Sequence, residues 1–339
     1  MKKLNLIPLI LGTILVICGA FIFGFALGEA DWDIKNLSTV KYETNTYEIT
    51  ESFTSLHINC NTADVHLLPT DDEKCIVVAH EEENNKHNVT VNAGVLCIDP
   101  IGKDTIRFGL NFDSPKITVY LPEKIYGNLE INNDTGDILI DSSLKFDNIR
   151  ISLSTGDISV TDVCCSTLSL IGTTGDVNIL NAIVFGNLSI ERNTGDVSLS
   201  GVKCDGSLTV TTSTGRIKLS DVECVGKISI SVSTGDTSLI NATCAALSSD
   251  GTTGEVNIEN VIVSGKATIA RSSGDIKLES FDAAEISIHT DSGDVKGSLI
   301  SSKVFVTKTD TGRVSVPETT SGGICKITTD TGDIIITIE

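Results

Sequence analysis

One short phrase, Thr-Gly-Asp or a close variant, returns along this sequence at an almost constant interval and restricts the folds that the chain can adopt. Successive glycines of the phrase are 19 or 20 residues apart. A repeat of this length, continued over more than half of a chain, is typical of solenoids, in which each repeat forms one coil stacked on its neighbours. The eleven glycines are Gly136, Gly156, Gly175, Gly195, Gly215, Gly235, Gly254, Gly274, Gly293, Gly312 and Gly332.

Around each glycine, apolar and polar side chains alternate. Apolar residues lie seven and five positions before it, as at Leu168 and Leu170, and two and four positions after it, as at Val177 and Ile179. A third apolar pair lies seven and nine positions after it. Alternation with a period of two predicts strands, so the sequence predicts an all-β fold. We expect a β-solenoid (β-helix) of 19- to 20-residue coils, with equivalent positions about 4.8 Å apart along its axis.

The phrase itself is suited to a structural turn. Glycine tolerates positive φ, and the neighbouring Thr or Ser can hydrogen-bond to local backbone. The residue after the glycine is mostly Asp, which we expect to face solvent; Arg216 lies between Asp196 and Asp236, where it would relieve repulsion between carboxylates. A calcium ladder is the alternative, but calcium-binding nonapeptide repeats have more glycines and a shorter period. The pattern therefore favours corner chemistry and predicts no metal site and no cofactor.

Cysteine recurs at one position of the repeat. Exchange with Val at this position indicates a small apolar slot, so we expect a column of reduced thiols in the core. A metal site would need convergent ligands or Cys-x-x-Cys spacing, which the column lacks. Disulfides between adjacent coils are an alternative at this strand separation, although three consecutive cysteines leave one unpaired. The column consists of Cys165, Val184, Cys204, Cys224, Cys244 and Val263.

Before the repeats, two lysines at positions 2 and 3 precede a run without charged side chains from Leu4 to Gly28. These 25 residues are enough to cross a bilayer as a helix, and the charge asymmetry predicts a cytosolic amino end. We expect a single-pass cell-membrane protein whose carboxyl-terminal part is extracellular. A cleaved signal peptide is the alternative, although the run exceeds the usual core of ~7 to 15 residues. A lipid at Cys18 is disfavoured by the bulky Ile17 before it.

The section between this run and the repeats is less regular. Alternating stretches such as Lys116–Pro122 are separated by polar ones such as Glu81–His87, and a degenerate phrase has Ala63 in the glycine position. We interpret the section as amino-terminal coils with a cap. The predicted organisation is an anchor with a short cytoplasmic start at 1–30, a membrane-proximal linker at 31–47, irregular β coils with the cap at 48–127, and the repeat array at 128–339.

Several motifs are shared with a known family. They are an apolar anchor ending near Trp32, the opening Tyr47 to Ile58, the segment Ile117 to Pro122 and the serial Thr-Gly-Asp phrases. With these motifs, residues 40–339 resemble the DUF-type family of β-repeat surface proteins named "putative adhesins", which are common in Gram-positive bacteria. The resemblance implies a surface location and supplies no catalytic residues. Some relatives are tied to envelope-stress sensing, which the resemblance permits here.

Composition and coil length argue against two classes of function, nucleic-acid binding and catalysis. The chain has 45 acidic and 25 basic residues, a formal net charge of −20, which disfavours binding to nucleic acid. Coils that differ by at most one residue leave no long loops to wall a catalytic cleft. We therefore expect no enzyme and no catalytic residue. The five histidines are scattered: His57, His66, His80, His87 and His289.

The predicted function is surface contact with an unknown protein or cell-wall partner, as an adhesin or a structural protein of the envelope. The alternative is a regulatory or sensory partner in an envelope-stress response, and a carbohydrate-active enzyme ranks third.

The carboxyl end of the chain adds a further expectation, because Ile334, Ile336 and Ile338 continue the inward column to the last rung. Solenoid ends normally carry a polar cap, so we expect these residues to form an edge for end-to-end self-association or for a partner. A frayed rung shielded by charge is the alternative.

Overall fold

The structure is a computed structural model that describes residues 6–102, 113–141 and 143–339. A helix, α1 (Leu6–Glu29), and a short 3-10 helix (Ile34–Leu37) precede a 28-stranded sheet that is coiled into a solenoid. The helix is about 36 Å long at ~1.5 Å per residue. Within the described part of the chain, one helical stretch, Ile10–Glu29 with a mean hydropathy of 2.6, is long and apolar enough to cross a membrane.

The strands form three groups along the chain. The amino-terminal strands are β1 (Tyr42–Ile49), β2 (Ser55–Cys60), β3 (Asp64–Thr70), β4 (Cys75–Glu82), β5 (His87–Asn92), β6 (Val95–Pro100) and β7 (Lys116–Pro122). The middle strands are β8 (Ile125–Thr135), β9 (Ile138–Ile140), β10 (Lys145–Thr155), β11 (Ile158–Thr161), β12 (Cys164–Thr174), β13 (Val177–Leu180), β14 (Ile183–Val184), β15 (Leu188–Thr194), β16 (Val197–Cys204), β17 (Leu208–Thr214), β18 (Ile217–Cys224), β19 (Lys227–Thr234), β20 (Thr237–Cys244), β21 (Ala246–Thr253) and β22 (Val256–Ser273). The last strands are β23 (Ile276–Ser292), β24 (Val295–Leu299), β25 (Lys303–Thr311), β26 (Val314–Ser315), β27 (Gly323–Thr331) and β28 (Ile334–Ile338).

Each coil of the middle group has three faces. The strand before the Thr-Gly phrase forms the first face, the strand after it forms the second, and a short stretch before the next coil forms the third. Equivalent residues lie opposite each other in parallel register, as Leu168, Leu188 and Leu208 do on the first face. Their inward side chains stack into one continuous core of mainly Ile, Val and Leu. The structure thus confirms the predicted all-β solenoid of 19- to 20-residue coils.

At the amino end, spatial order differs from chain order. β8 and β9 pair with β2 and β3, so the coil of β2 and β3 lies between β6–β7 and β8–β9. The antiparallel pairs β1–β4, β4–β7 and β5–β6 form a cap around it. Because β1 begins at Tyr42 and pairs with β4, the predicted linker at 31–47 is wrong over residues 42–47.

The carboxyl end contains a second coil that is out of chain order. β27 pairs with β23 on one side and with β25 on the other, and β28 pairs likewise with β24 and β26. Residues 323–338, which we call the inserted coil, therefore lie between residues 286–299 and residues 303–315. The latter form the outer rung, which we call the terminal coil.

The prediction of an uncovered edge is therefore wrong for Ile334 and Ile336, whereas Ile338 is half-buried and lies beyond the residues that pair with β26. Ile334 and Ile336 are 0% and 2% exposed, and the terminal coil stacks over this rung. The physical reason lies in the composition of the two coils, because the terminal coil has Thr307 and Thr309 at positions that face the inserted coil's Ile and Thr. The more apolar coil gains more from burial, and the more polar one supplies the cap that a solenoid end needs.

Candidate contact surface

The Thr-Gly corner joins the first face of each coil to the second. All eleven corner glycines have φ between +120° and +159°, a region that is almost closed to side chains. A Cβ at Gly215 would also lie 1.9 Å from the carbonyl oxygen of Gly195 in the preceding coil. The backbone angle and the close stacking of carbonyl on glycine both require glycine at this corner.

The aspartate that follows most corner glycines has a second role besides facing solvent. Its Oδ1 accepts a hydrogen bond from the backbone N–H of the equivalent residue in the next coil, as Asp137 does from Asp157 (2.9 Å) and Asp157 does from Asp176 (2.7 Å). Arg216 donates its backbone N–H to Asp196 Oδ1 and its guanidinium to Oδ2, each at 2.8 Å. The backbone bond first, and then the guanidinium, hold the pKa of Asp196 below its usual value although burial opposes them. We call this column of carboxylates the aspartate ladder.

The same corner bears on the calcium alternative. Among the described residues, no three or more His, Cys, Asp or Glu side chains are grouped so that they could hold a metal ion. The Oδ1 atoms of the aspartate ladder are instead engaged by backbone amides.

A second corner, between the second and third faces, was missed by the sequence reasoning. Six residues after the corner glycine, a short polar residue adopts the left-handed conformation, with φ of 51° at Asp162, 54° at Asn181 and 53° at Asn241. Asp and Asn tolerate this region because their side chains hydrogen-bond locally. Asn181 Nδ2 donates to Asp162 Oδ1 at 3.0 Å, which links adjacent coils. The signal in the sequence was a turn-forming residue at a constant distance from each glycine.

The outward side of the first face carries a straight row of hydroxyl groups, which we call the hydroxyl strip. In seven consecutive coils the residue six positions before the corner glycine is Ser or Thr, and each is in register with the next. At about 4.8 Å per coil, the strip is roughly 30 Å long. Each hydroxyl can both donate and accept hydrogen bonds. The strip consists of Ser169, Ser189, Thr209, Ser229, Ser248, Thr268 and Ser287.

Polar side chains extend this surface toward the amino end. Asn148 Nδ2 donates to Asn128 Oδ1 at 2.9 Å, and Thr167 Oγ1 donates to Asn148 Oδ1 at 2.6 Å. In the column of the strip itself, Arg150 and Glu130 come before Ser169, so the uncharged row is limited to the seven coils of the strip and lies beside the negatively charged aspartate ladder.

Two buried arginines lie under the Thr-Gly corner, and sequence reasoning missed them as well. Arg192 and Arg271 are 1% and 2% exposed, and each fills space left by a glycine in the preceding coil. A Cβ at Gly172 would lie 1.9 Å from Nη1 of Arg192, and one at Gly251 would lie 2.9 Å from Cζ of Arg271. Arg192 also donates to the carbonyl oxygen of Gly156 at 3.0 Å. Burial lowers the pKa of both arginines, nearby carboxylates oppose that shift, and the guanidinium charge offsets part of the charge of the ladder.

The predicted cysteine column lies on the inward side of the third face. Its four cysteines are at most 5% exposed, and the ten cysteines of the chain are free thiols. Burial raises the pKa of Cys165 to about 12 and that of Cys244 to about 11. A hydrogen bond between the side chains of Cys204 and Cys224 raises the pKa of the first and lowers that of the second. In this column the thiols pack as small apolar groups, with Cys165 on one side of Val184 and the other three between Val184 and Val263.

Two of the histidines that are scattered in the sequence belong to networks in the cap. His80 Nδ1 lies 3.0 Å from Thr44 Oγ1, and its Nε2 lies 3.0 Å from Asp113 Oδ2. Buried Glu81 accepts a hydrogen bond from the backbone N–H of His87 (2.7 Å), and its Oε2 lies 2.9 Å from His87 Nδ1. The first network connects segments that are distant in sequence, and the second connects the two sides of a turn. These histidines therefore stabilise the cap.

These features define a β-solenoid repeat protein with an amino-terminal apolar helix of membrane-spanning length. The family model of Toastrack DUF4097 matches residues 53–242 and 203–339. The chain therefore belongs to the Toastrack DUF4097 family, which confirms the resemblance seen in its motifs. No curated protein matches the chain.

Solved structures from three bacteria are similar to this chain. A "putative adhesin" from Bacteroides fragilis is 17% identical with a TM-score of 0.39, over 76% of this chain and 97% of that one. A "putative lipid binding protein" from Parabacteroides distasonis is 17% identical with a TM-score of 0.36, over 87% and 97%. A "putative cell adhesion protein" from Clostridium sporogenes is 14% identical with a TM-score of 0.23, over 89% and 100%.

Proposed function

We propose that this chain is a membrane-anchored extracellular β-solenoid that acts by surface contact, as an adhesin or a structural protein of the cell envelope. The hydroxyl strip is the proposed contact surface, and it is the observation that carries the proposal. A partner rich in hydroxyl or amide groups, such as a cell-wall glycan or a protein, would replace water along the whole row. Each bond would contribute on the order of 1 kcal/mol, so many weak contacts would set the affinity.

The anchoring part of the proposal rests on α1. Its apolar side chains are exposed, for example Leu15 (66%) and Phe21 (77%), and such a helix is stable in a bilayer but not in water. Lysines at positions 2 and 3 precede it and acidic residues follow it, which orients the solenoid outward by the positive-inside rule. A cleaved signal peptide is the alternative for the same helix, and it would release the solenoid outside the cell.

The proposal assigns no catalytic step to the chain. What supports contact over catalysis is the uniform coil, because corners that repeat every 19 or 20 residues stack directly on one another. Enzymes and small-molecule receptors usually build concave sites from loops of unequal length. The outer surface of this array is instead made of regular strands in register.

Beads coated with residues 31–339 would test the contact surface. We expect them to bind cells or purified walls of the organism that carries the gene. Thr209→Arg combined with Ser229→Arg on the hydroxyl strip should lower the bound fraction by about fivefold, equivalent to about 1 kcal/mol. The matched control, Ser198→Arg with Ser238→Arg on the second face, should bind as the parent does. Equal binding by both double variants would contradict the strip, and capture of a single membrane protein would favour the regulatory alternative.

Protease added to intact cells or wall-stripped protoplasts would test the topology. We expect digestion of the solenoid without lysis, with a membrane-bound fragment that contains α1 left behind. Protection of the solenoid until the cells are lysed would contradict the outward orientation. Release of an intact solenoid into the medium would instead support the cleaved signal peptide.

A further inference from the structure

The inserted coil occupies an interior slot between two rungs that precede it in the chain. β27 hydrogen-bonds to both β23 and β25, and β28 to both β24 and β26. The two walls of the slot are therefore formed by residues 286–299 and 303–315. Such a slot offers rows of backbone donors and acceptors on two sides, which is the template used when one chain adds a strand to another.

The slot is selective for the segment that fills it. A Cβ at Gly332 would lie 2.0 Å from the carbonyl oxygen of Gly293, so the corner of the occupant must be glycine. The next residue must also continue the aspartate ladder: Asp333 donates its backbone N–H to Asp294 Oδ1 at 2.7 Å, and its own Oδ1 accepts from the N–H of Arg313 at 2.8 Å. Two buried isoleucines fill the core on the second face. The segment that meets all of these requirements is residues 323–338, either from the same copy or from another copy of this chain.

The connection between the terminal and inserted coils suits an exchange. Residues 316–322 contain no strand, and Glu318, Thr320 and Ser321 are exposed. Fully extended, seven residues span at most about 25 Å, which is enough to reach a neighbouring solenoid that lies alongside. The ordered rungs on either side of this linker would keep their hydrogen bonds in an exchanged pair.

We propose that the inserted coil is exchanged between two copies of this chain, so that residues 323–338 of each copy fill the slot of the other. The exchanged dimer retains every contact between rungs and alters the path of residues 316–322. The free-energy difference between the two forms is then mainly that of association. Attachment to one membrane raises the effective concentration of the copies and favours the dimer. This last point rests on the proposed anchoring, whereas the exchange itself does not.

Two full-length variants, each with one added cysteine and carried by differently tagged copies in the same cells, would test the exchange. One has Ser287→Cys on β23, and the other has Lys326→Cys, which faces residue 287 on β27. Because each copy has one of the two new thiols, a 287–326 disulfide can form only between copies. The matched control pairs Thr268→Cys with Ser287→Cys, which are equally in register but lie within one uninterrupted run of chain. After mild oxidation, linked peptides are quantified by mass spectrometry.

We expect the 287–326 link between copies to exceed the 268–287 link by about tenfold or more, which corresponds to a difference of about 1.4 kcal/mol. A third variant that carries both Ser287→Cys and Lys326→Cys reports whether the coil is docked at all. Equal, background yields in the two mixed samples, with an efficient link inside one chain in the third variant, would overturn the proposal. This test measures cross-links and uses no binding assay. A negative result would therefore contradict the exchange without bearing on the proposed contact function.

Discussion

Each end of the solenoid contains one coil that is out of chain order, but the two coils are held differently. At the amino end, the coil of Ser55–Thr70 is covered by β6 and β7 and by the antiparallel strands of the cap. At the carboxyl end, the inserted coil is covered by the terminal coil, whose outer side is exposed at Val306 and Val314. Burial decides which coil stacks on which, and the carboxyl end is the less protected of the two.

The two out-of-order coils also differ at the Thr-Gly corner, in the residue that takes the glycine position. Ala63 takes the glycine position in the amino-terminal coil, and its φ is not positive. Gly332 of the inserted coil has a φ of +152° and stacks tightly on Gly293. The carboxyl-terminal coil therefore depends on glycine, whereas the amino-terminal coil does not.

The largest expected effect is that of alanine at the corner of the inserted coil. Gly332→Ala should destabilise the docking of that coil by about 3 kcal/mol, because the backbone angle is strained for alanine and its Cβ meets a carbonyl oxygen. Ala63→Gly should cost about 1 kcal/mol or less, mainly through backbone entropy. Amide hydrogen exchange over residues 323–338 and 55–70 would measure both. Similar losses at the two ends would contradict the difference between the corners.

The second prediction compares an ion pair at each end. Lys303 is buried and its Nζ lies 2.6 Å from Asp282 Oδ1, next to the start of the inserted coil. Lys86 and Glu43 of the cap form an exposed pair. Lys303→Met should cost about 2 kcal/mol because it leaves a half-buried carboxylate without its cation. Lys86→Met should cost much less, because solvent screens this pair. Urea denaturation followed by exchange of the terminal-coil amides would detect the contrast, and equal costs would contradict it.

The third prediction concerns acid. Burial raises the pKa of Asp282, but hydrogen bonds from Lys303 and Ser301 outweigh it and lower the pKa overall. Lys296 and the backbone N–H of Asp333 lower the pKa of Asp294. A carboxyl whose pKa is lowered by folding contributes stability above its unfolded pKa of about 3.9, and this stability is lost as the pH falls through the folded value.

Below about pH 4, therefore, amides of the inserted coil should lose protection before those of residues 55–70, which the cap covers on more sides. Hydrogen exchange at pH 5 and pH 3 would measure the order of loss. Asp282→Asn with Asp294→Asn provides the control, since it should remove most of this pH dependence at the carboxyl end. Earlier loss at the amino end would contradict the assignment.

The smallest expected effect concerns a feature that the two ends share. Asp64 accepts the N–H of Asp137 at 2.9 Å, as Asp294 accepts that of Asp333 at 2.7 Å. Asp64→Ala and Asp294→Ala should each cost about 1 kcal/mol, because each leaves an amide without its acceptor. Asp64→Asn should be nearly neutral, since the amide oxygen can replace Oδ1, whereas Asp294→Asn should keep the hydrogen bond but lose the stability that the carboxylate charge gains beside Lys296. A large cost for Asp64→Asn in thermal unfolding would mean that the charge itself is required.

Several parts of this structure could be predicted from the sequence because they depend on residues within one coil. The alternation around Leu168 and Leu170 and the recurring glycine give the strands and their spacing. The order of the end coils could not be predicted in this way. It depends on a competition between distant segments for a buried position, in which the isoleucines of the inserted coil displace the threonines of the terminal coil.

The features of the candidate site also differ in whether they could be predicted from the sequence. The hydroxyl strip is a one-residue column, so it can be found by aligning the repeats once the inward and outward positions are known. The buried Arg192 depends on Gly172 in the preceding coil, a pair 20 residues apart whose meaning appears only when the two coils are stacked. The left-handed corner at Asn181 was hidden because Asp, Asn, Ser and Gly all satisfy it.

The central claim is that the inserted coil lies next to residues 286–299, and a disulfide cross-link between the two segments tests it most directly. Ser287, Lys326 and Val306 occupy the same column on the inner, inserted and terminal rungs. With Ser287→Cys in both proteins, Lys326→Cys should give an efficient 287–326 disulfide, within one chain or between exchanged copies, and Val306→Cys should give almost no 287–306 disulfide, as mass spectrometry of linked peptides would show. Linkage of 287 to 306 and not to 326 would show that the coils stack in chain order, and would contradict this account.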